Sequence, residues 1–538
     1  MSIYRPGESQ SLWSELNINS RFSRLRKNIQ VDVCVIGGGI AGLTTAYLLA
    51  KEGKSVCVLE SNEIGSGQSG RTTAHFMTAL DDRYFEIQKV HGDLGARLAA
   101  QSHSAAVEKV AQIVKTENFS CDFERVDGFL FALDDPRYDI LDEELEAVVL
   151  AGLRDVEMVE KSPLDFFDLG TCLKFPRQIQ LHPQKYLHCL AQSILAHGGQ
   201  IYTQTTVSKV NGGPKASVET STIQTVKCNN IVVATNTSMN DIFAIHTKQA
   251  AYRTYVLAFR IPKAAVPKAL FWDTLNPYHY LRIEDHDPFH DLLIVGGEDH
   301  KTGQEDHPEK NYERLEDWTR ARFPFAQEIA YQWSGQIMES VDGLAFLGHN
   351  PMDRNNVYVI TGDSGNGMTH ATIGGLLITD QIMGRNNPWE ELYNPSRISL
   401  KALPRFLKEN ANAIAQYKDW FAEKPMPSFD ELPAGEGVVF REELSMLAAY
   451  KDESGGIQLL SAACPHLGGV VHWNNTEKSW DCPCHGSRFD CYGKVIAGPA
   501  DKNLDLVDGA TLLPEIPEII SEAHLIKRPI AELELGTL

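Results

Sequence analysis

Apolar and polar positions change texture along this chain, and each change marks an element. From Val31 the sequence reads VDVCVIGGGIAGLTTAYLLAKEGKSVCVLES. An apolar run, a glycine-rich turn, a helix-period segment, a second apolar run and a closing acid predict a βαβ unit. VYVITGDSGNGMTHATIGGLLITDQIMG, Val357 to Gly384, runs an apolar strand into Gly362, Gly365 and Gly367 and predicts a helix from about Thr369. Between them, YHYLRIEDHDPFHDLLIVGGEDH predicts two strands joined by a polar turn, with Tyr280 and Arg282 at period two on one face. After Gly384, polar, helical-looking residues lead to KPMPSFDELPAGEG, and residues 386–430 are expected to be a linker. From about Glu436 the runs GVVFREE, LAAYKD, IQLLSAAC, VVHW and KVIAGPA predict a small all-β domain.

The glycines of the first unit carry chemistry. Gly37 allows a tight turn out of the strand, Gly39 lets backbone N–H groups approach a pyrophosphate, and Gly42 lets the helix lie close to the sheet. Glu60 follows 23 residues after Gly37, where a carboxylate accepts hydrogen bonds from ribose hydroxyls. Together these predict dinucleotide binding at a helix N-terminus. At the second glycine loop, backbone donors and another helix N-terminus converge where negative charge would be stabilised.

Composition narrows the function. The chain has 538 residues, 43% apolar and 22% charged, which predicts several soluble domains and room for a large cofactor. A net charge of -21 argues against a nucleic-acid partner. No apolar run is long enough to span a bilayer, and the first residues lack the pattern of a secretory leader; no membrane anchor and a cytoplasmic location are expected. Ten cysteines in so long a chain are no disulfide framework, and Cys34 and Cys57 sit in apolar runs as core residues. One cluster is different: Cys464-x-His466, fifteen residues, then Cys482-x-x-His485, a ligand set that could hold zinc or iron.

Five segments, in order, resemble the D-amino-acid oxidase superfamily of flavoproteins: the βαβ unit, IGSGQSGRTTAHF from Ile64, HPQKYLHCLAQSILAHGGQIYTQTTVSKV leading to CNNIVVATN, WSGQIMESVDGLAFLG, and the second glycine loop. Ala345 stands where that family usually has proline. The resemblance implies an α/β FAD-binding Rossmann-like domain with an interleaved α+β substrate domain over 31–385. FAD-binding pieces are expected at about 31–90, 166–244 and 346–385, and substrate pieces at about 91–165 and 245–345. It implies FAD contacts at Gly37, Gly39, Ile40, Ala41, Gly42, Glu60, Ser61, Ser69, Gly70, Arg71, Thr72, Thr73, Val207, Ala234, Thr235, Gly335, Gly362, Gly365, Asn366, Gly367, Met368 and Thr369. Arg71 falls nearest the histidine that carries a covalent flavin in some relatives, so the FAD is expected to be non-covalent. The resemblance also suggests Arg282 and Tyr280 as a grip on a substrate carboxylate, and His75 and His370 as ring contacts or proton carriers.

CPHLG, CPCHGSRFD and the GPA at Gly498 resemble the cluster loops and proline loop of Rieske domains. That places the domain at about 431–525, after residues 1–30 as an N-terminal extension and before a 526–538 tail. It implies a 2Fe-2S cluster in which Cys464 and Cys482 hold one iron and His466 and His485 the other. Gly469 replaces the cysteine that in respiratory-type members bonds the position of Cys484, and Phe489 replaces a tyrosine whose hydroxyl bonds sulfur in high-potential members. The second departure removes a hydrogen bond to sulfur and so implies the lower or middle part of a range of roughly -150 to +300 mV. The expected function is oxidation of a small amine or amino-acid-like substrate by hydride transfer to flavin. Electrons would then leave singly through the exposed histidine edge of the cluster to a one-electron acceptor or redox partner protein. The alternative is a plain flavin oxidase of amines or 2-hydroxy acids, with the Rieske domain as sensor or docking module.

Overall fold

The computed structural model describes residues 7–15, 22–133, 135, 137, 139–239, 245–351 and 353–507; the expected tail lies outside them. Two large sheets form the flavoprotein half. The first has six strands in the order Phe346–His349, Val357–Thr361, Asn230–Asn236, Val33–Ile36, Val56–Leu59 and Gln200–Tyr202. All pairs are parallel except the first. The valines and isoleucines of the central strands are fully buried on both faces, the usual state of a parallel sheet covered by helices. The helices Ile40–Lys51 and Gly367–Ile382, one from each predicted glycine loop, pack on each other. The second helix begins two residues ahead of Thr369.

The close packing has a visible cause in Gly42. A Cβ there would lie 1.9 Å from the Gly37 carbonyl oxygen. Any side chain would push helix from strand and spoil the turn that follows the sheet.

The second sheet has nine strands and stands over the first. The predicted pair is its middle: His279–Asp285 runs antiparallel to His290–Lys301 with Tyr280 opposite Gly296. Gln249–Pro262 and Ile329–Ser340 extend it as a long ribbon toward the C-terminal domain.

That domain is all β, with a three-stranded sheet, Glu436–Glu442, Ser445–Lys451 and Ile457–Ser461, and a four-stranded one, His472–Asn474, Ser479–Asp481, Arg488–Asp490 and Val495–Ala497. Between the halves, residues 386–430 include the helix Leu403–Ala415 and a 3-10 turn, Gln416–Phe421. At the other end of the chain, Trp13 is fully buried and its indole N–H donates to the Thr72 carbonyl at 2.6 Å, so the N-terminal residues strap the loop after the βαβ unit.

Candidate functional site

A cavity of about 710 Å³ lies between the two sheets. Gly37, Gly39, Ile40, Ala41, Glu60, Ser61, Ser69, Arg71, Thr72, Thr73, Val207, Ala234, Thr235, Gly335, Gly365, Asn366, Gly367 and Met368 all line it. Gly42, Gly70, Gly362 and Thr369 stand behind the wall. Gly70 lets its turn close on Gly65, and the Thr369 hydroxyl accepts the Met77 N–H at 3.1 Å.

The lining fits FAD. Glu60 accepts the Gly38 N–H through one oxygen and the Asn62 N–H through the other, each at 2.7 Å, which fixes an acid at the end of the second strand. The Ser69 hydroxyl accepts the Ile40 N–H at 3.0 Å and so sits at the start of the first helix. Gly38 and Gly39 face the cavity, where a Cβ on either would meet side-chain atoms within 2.8 Å. The far wall is the N-terminus of the sixteen-residue helix that begins at Gly367, a place for negative charge.

At the other end of the cavity stand His75, Met77, Asp81, Thr254, Trp272, Tyr278 and Tyr280. The rings of Tyr278 and Tyr280 stack at 5.4 Å; Tyr278 Oη donates to Asp81 Oδ2 at 3.3 Å, and Tyr280 Oη lies 3.0 Å from Thr254 Oγ1. Burial pushes the Asp81 carboxyl up to about 6. His75 is pushed down to about 3 by burial and by Arg282 beside it, so its imidazole is neutral. Its Nε2 is buried with no hydrogen-bond partner.

Arg282 is placed differently from the expectation. It is 1% exposed and does not line the cavity. Its guanidinium donates to the carbonyls of Thr73 at 3.0 Å and Leu181 at 3.1 Å and pairs with Glu284. Period two gave the correct face, but the side chain is consumed by the loop carrying His75, so no fork is left for a substrate carboxylate. His370 does line the cavity, yet both its nitrogens are engaged: Nδ1 with the Asp363 carbonyl at 2.8 Å and Nε2 with His103 Nε2 at 3.2 Å. Burial holds it down to about 4, which leaves it neutral and structural.

The predicted metal ligands come together from two loops. Cys464 and Cys482 are each 2% exposed and their side chains are in contact. The rings of His466 and His485 lie 5.1 Å apart at 89°. His485 Nδ1 is buried without a hydrogen-bond partner, as a nitrogen meant for a metal would be. Among the described residues no three His, Cys, Asp or Glu side chains converge on one ion position. A two-iron cluster takes two protein ligands per metal, which matches a pair of cysteines and a pair of histidines. Ser487, fully buried beside Cys464, accepts the Ala500 N–H at 3.0 Å and thereby ties the proline loop to the cluster loop. At Gly469 a Cβ would lie 2.6 Å from Cys484 Sγ, so the glycine occupies the place from which a cysteine would reach it.

The histidine edge does not open freely to solvent. His466 packs its ring 5.1 Å from that of His246, and Gly486, at φ +77°, presses against Ala251. The cluster therefore faces the flavoprotein half.

Three contacts across this junction carry no sequence signature. Gln336 lines the cavity, while its Nε2 donates to the Gly486 carbonyl, next to His485, at 2.9 Å. Glu477, fully buried, pairs with Arg71 at 3.2 Å and Arg253 at 3.3 Å. The segment Lys494–Asp501 of the C-terminal domain forms part of the cavity wall itself.

These two sites define a flavin-dependent oxidoreductase with an iron-sulfur domain. The family model described as FAD dependent oxidoreductase matches residues 32–381, and that described as Rieske [2Fe-2S] domain matches residues 424–516. The chain belongs to the FAD dependent oxidoreductase family and carries a C-terminal Rieske domain; its cofactors are FAD and a 2Fe-2S cluster. It is 30% identical, over 93% of its length and 97% of the relative's, to a Bacillus subtilis protein named for a Rieske 2Fe-2S iron-sulfur centre, YhfW. It is 25% identical to gamma-glutamylputrescine oxidoreductase of Escherichia coli, covering 68% of this chain and 86% of that one. Glycine oxidase from Geobacillus kaustophilus has the same fold, with a TM-score of 0.57 at 17% identity, over 69% of this chain and all of that one.

Proposed function

We propose that the protein oxidises a small amine or amino-acid-like substrate in the cavity and delivers the electrons one at a time, through the cluster domain, to an external one-electron acceptor. The observation that carries this reading is Gln336, which lines the cavity with one end and hydrogen-bonds the cluster loop beside His485 with the other.

Oxidation of an amine C–H and N–H to an imine releases two electrons and two protons. Two equivalents of a one-electron acceptor balance it, and water then converts the imine to a carbonyl and ammonia. Bound at these sites, FAD supplies two-electron acceptance and the cluster one-electron transfer.

The chain's own residues do the rest. Asp81, with Tyr278 against it, offers a carboxylate to a substrate ammonium. Its raised proton affinity suits it to take a proton as the amine is made neutral for oxidation. Tyr280 and Thr254 close the wall opposite, and neutral His75 presents an uncommitted nitrogen. With Arg282 committed to Glu284 and the Thr73 carbonyl, these groups favour recognition through the amine over recognition through a carboxylate. Gamma-glutamylputrescine, in the name of the Escherichia coli relative, is an amine of this sort. No disulfide joins any of the ten cysteines, which suits a reducing, cytoplasmic compartment.

Anaerobic mixing with a panel of amines, amino acids and 2-hydroxy acids tests the reading, with flavin bleaching followed optically and the cluster by its reduced-state EPR signal. An amine that bleaches the flavin and then raises the cluster signal is the expected result. A cluster that stays oxidised through many turnovers would make the protein a plain oxidase.

A further inference from the structure

The helix Leu403–Ala415 is turned inside out. None of its residues is buried, and at about 100° per residue Leu403, Leu407, Ala411 and Ile414 share one face. That face looks at solvent: Leu407 is 57% and Ile414 70% exposed, and the flanking Leu400 and Phe421 are 81% and 87% exposed. The polar side is the one that packs: Glu409 pairs with Lys301 at 2.5 Å and Asn412 Oδ1 accepts from Gln304 at 2.8 Å, while Asn410, at the edge of the stripe, donates to the Thr247 carbonyl at 2.8 Å. These contacts fix the helix so that its apolar stripe cannot roll inward. An apolar stripe held in water is unfavourable unless something else covers it.

The charge around the stripe indicates what. Both acids of the segment 398–421 are engaged, Glu409 by Lys301 and Asp419 by His472, and Arg405 is paired with Asp82. Lys401, Lys408 and Lys418 are exposed and make no ion pair among the described residues. The bared charge is positive on a chain whose net charge is -21. Among the described residues no helix is long and apolar enough to cross a membrane. A short helix with an apolar face and lysines at its margin is instead the pattern that lies in a bilayer surface, drawn by anionic lipid. A second copy seated on the same face would bring like-charged lysines together across the two-fold axis.

We propose that residues 398–421 dock the protein on an anionic phospholipid surface. The inner side of the same segment adjoins the cluster: Asn412 and Ala413 share a small cavity with Cys484 and His485, and Tyr417 Oη and Trp420 Nε1 donate to the carbonyls of Leu467 and Gly468 at 2.6 and 2.8 Å. Docking would set the histidine edge roughly one helix diameter, about 10 Å, from the lipid, where a lipid-soluble one-electron acceptor can collect charge.

The test is co-sedimentation of the purified holoprotein with vesicles of pure phosphatidylcholine and of phosphatidylcholine mixed with phosphatidylglycerol. Binding to the mixed vesicles that weakens with salt is expected. Leu407→Glu and Ile414→Glu, both on the exposed face, should each weaken it by at least about tenfold, and Lys401→Glu or Lys408→Glu by at least about fivefold. FAD content and substrate-driven bleaching in solution report that the variants are folded. Wild-type protein left in the supernatant with the mixed vesicles would overturn the proposal, as would Leu407→Glu protein that binds like wild type. A self-associated species dissolved by Leu407→Glu, with no vesicle binding, would assign the face to a second copy and would equally overturn it.

Discussion

Arg71, in the loop that lines the flavin cavity, and Glu477, in the cluster-binding domain, form a fully buried ion pair at 3.2 Å. Arg253 joins from the long ribbon, and the Ser9 hydroxyl from the N-terminal strap donates to the same carboxylate at 2.5 Å. One carboxylate thus ties four stretches of chain together at the wall of the cofactor site.

Removing it should be costly. Glu477→Gln leaves two guanidinium groups buried without their counter-charge, a loss of about 3 to 5 kcal/mol. Because Arg71 shapes the flavin loop, the variant should also release FAD more readily. Chemical denaturation and the flavin content after gel filtration check both; unchanged values would mean that the junction opens to water.

Glu477 should also set part of the acid stability. Burial alone would raise its proton affinity, yet Arg71 and Arg253 outweigh burial and hold it down to about 2. The folded value lies below the unfolded value of about 4.3, so the pair contributes fully above about pH 4.3, and its contribution is lost as pH falls toward 2. The gap corresponds to about 3 kcal/mol. Thermal unfolding of wild type and Glu477→Gln should therefore converge between about pH 4 and 2.

Asp81 predicts a pH profile of activity. Its carboxyl, raised by burial to about 6, must be ionised to hold a substrate ammonium. For an amine substrate kcat/KM should rise by about tenfold per unit below pH 6 and level off above it. Asp81→Asn should flatten this limb and lower kcat/KM by roughly ten- to a hundredfold. An unshifted limb in the variant would assign the titration to another group.

Gln336→Met keeps the length of the side chain and removes the N–H that reaches the Gly486 carbonyl. The rate of cluster reduction relative to flavin bleaching should fall by about tenfold or more, the scale seen when groups just outside a metal's ligands are altered. Stopped-flow absorbance with freeze-quench EPR reads the ratio, and a redox titration shows whether the cluster potential has moved instead.

Gly469→Cys should form a disulfide with Cys484, since the new Cβ would lie 3.4 Å from the Cys484 Cβ. The closed loop should add about 3 kcal/mol to the cluster domain. Mass loss of two hydrogens and a higher Tm under oxidising conditions are the expected readouts.

What the sequence by itself determined is local. The glycines of the two cofactor loops, Glu60 and the four cluster ligands are spaced within short segments, where backbone geometry alone decides what can meet what. Tyr280 and Arg282 were readable as one face of a strand for the same reason. Depth was not readable: Arg282 serves the Thr73 carbonyl and Glu284 because of what packs over it, and alternation along a strand says nothing about that. Only the tertiary structure decided how the halves meet. Gln336 and Gly486 are 150 positions apart and Arg71 and Glu477 are 406 apart, and neither pair belongs to a periodic or spaced motif. Such contacts arise when two finished surfaces pack, because shape and charge at an interface are properties of folded faces and not of neighbouring residues.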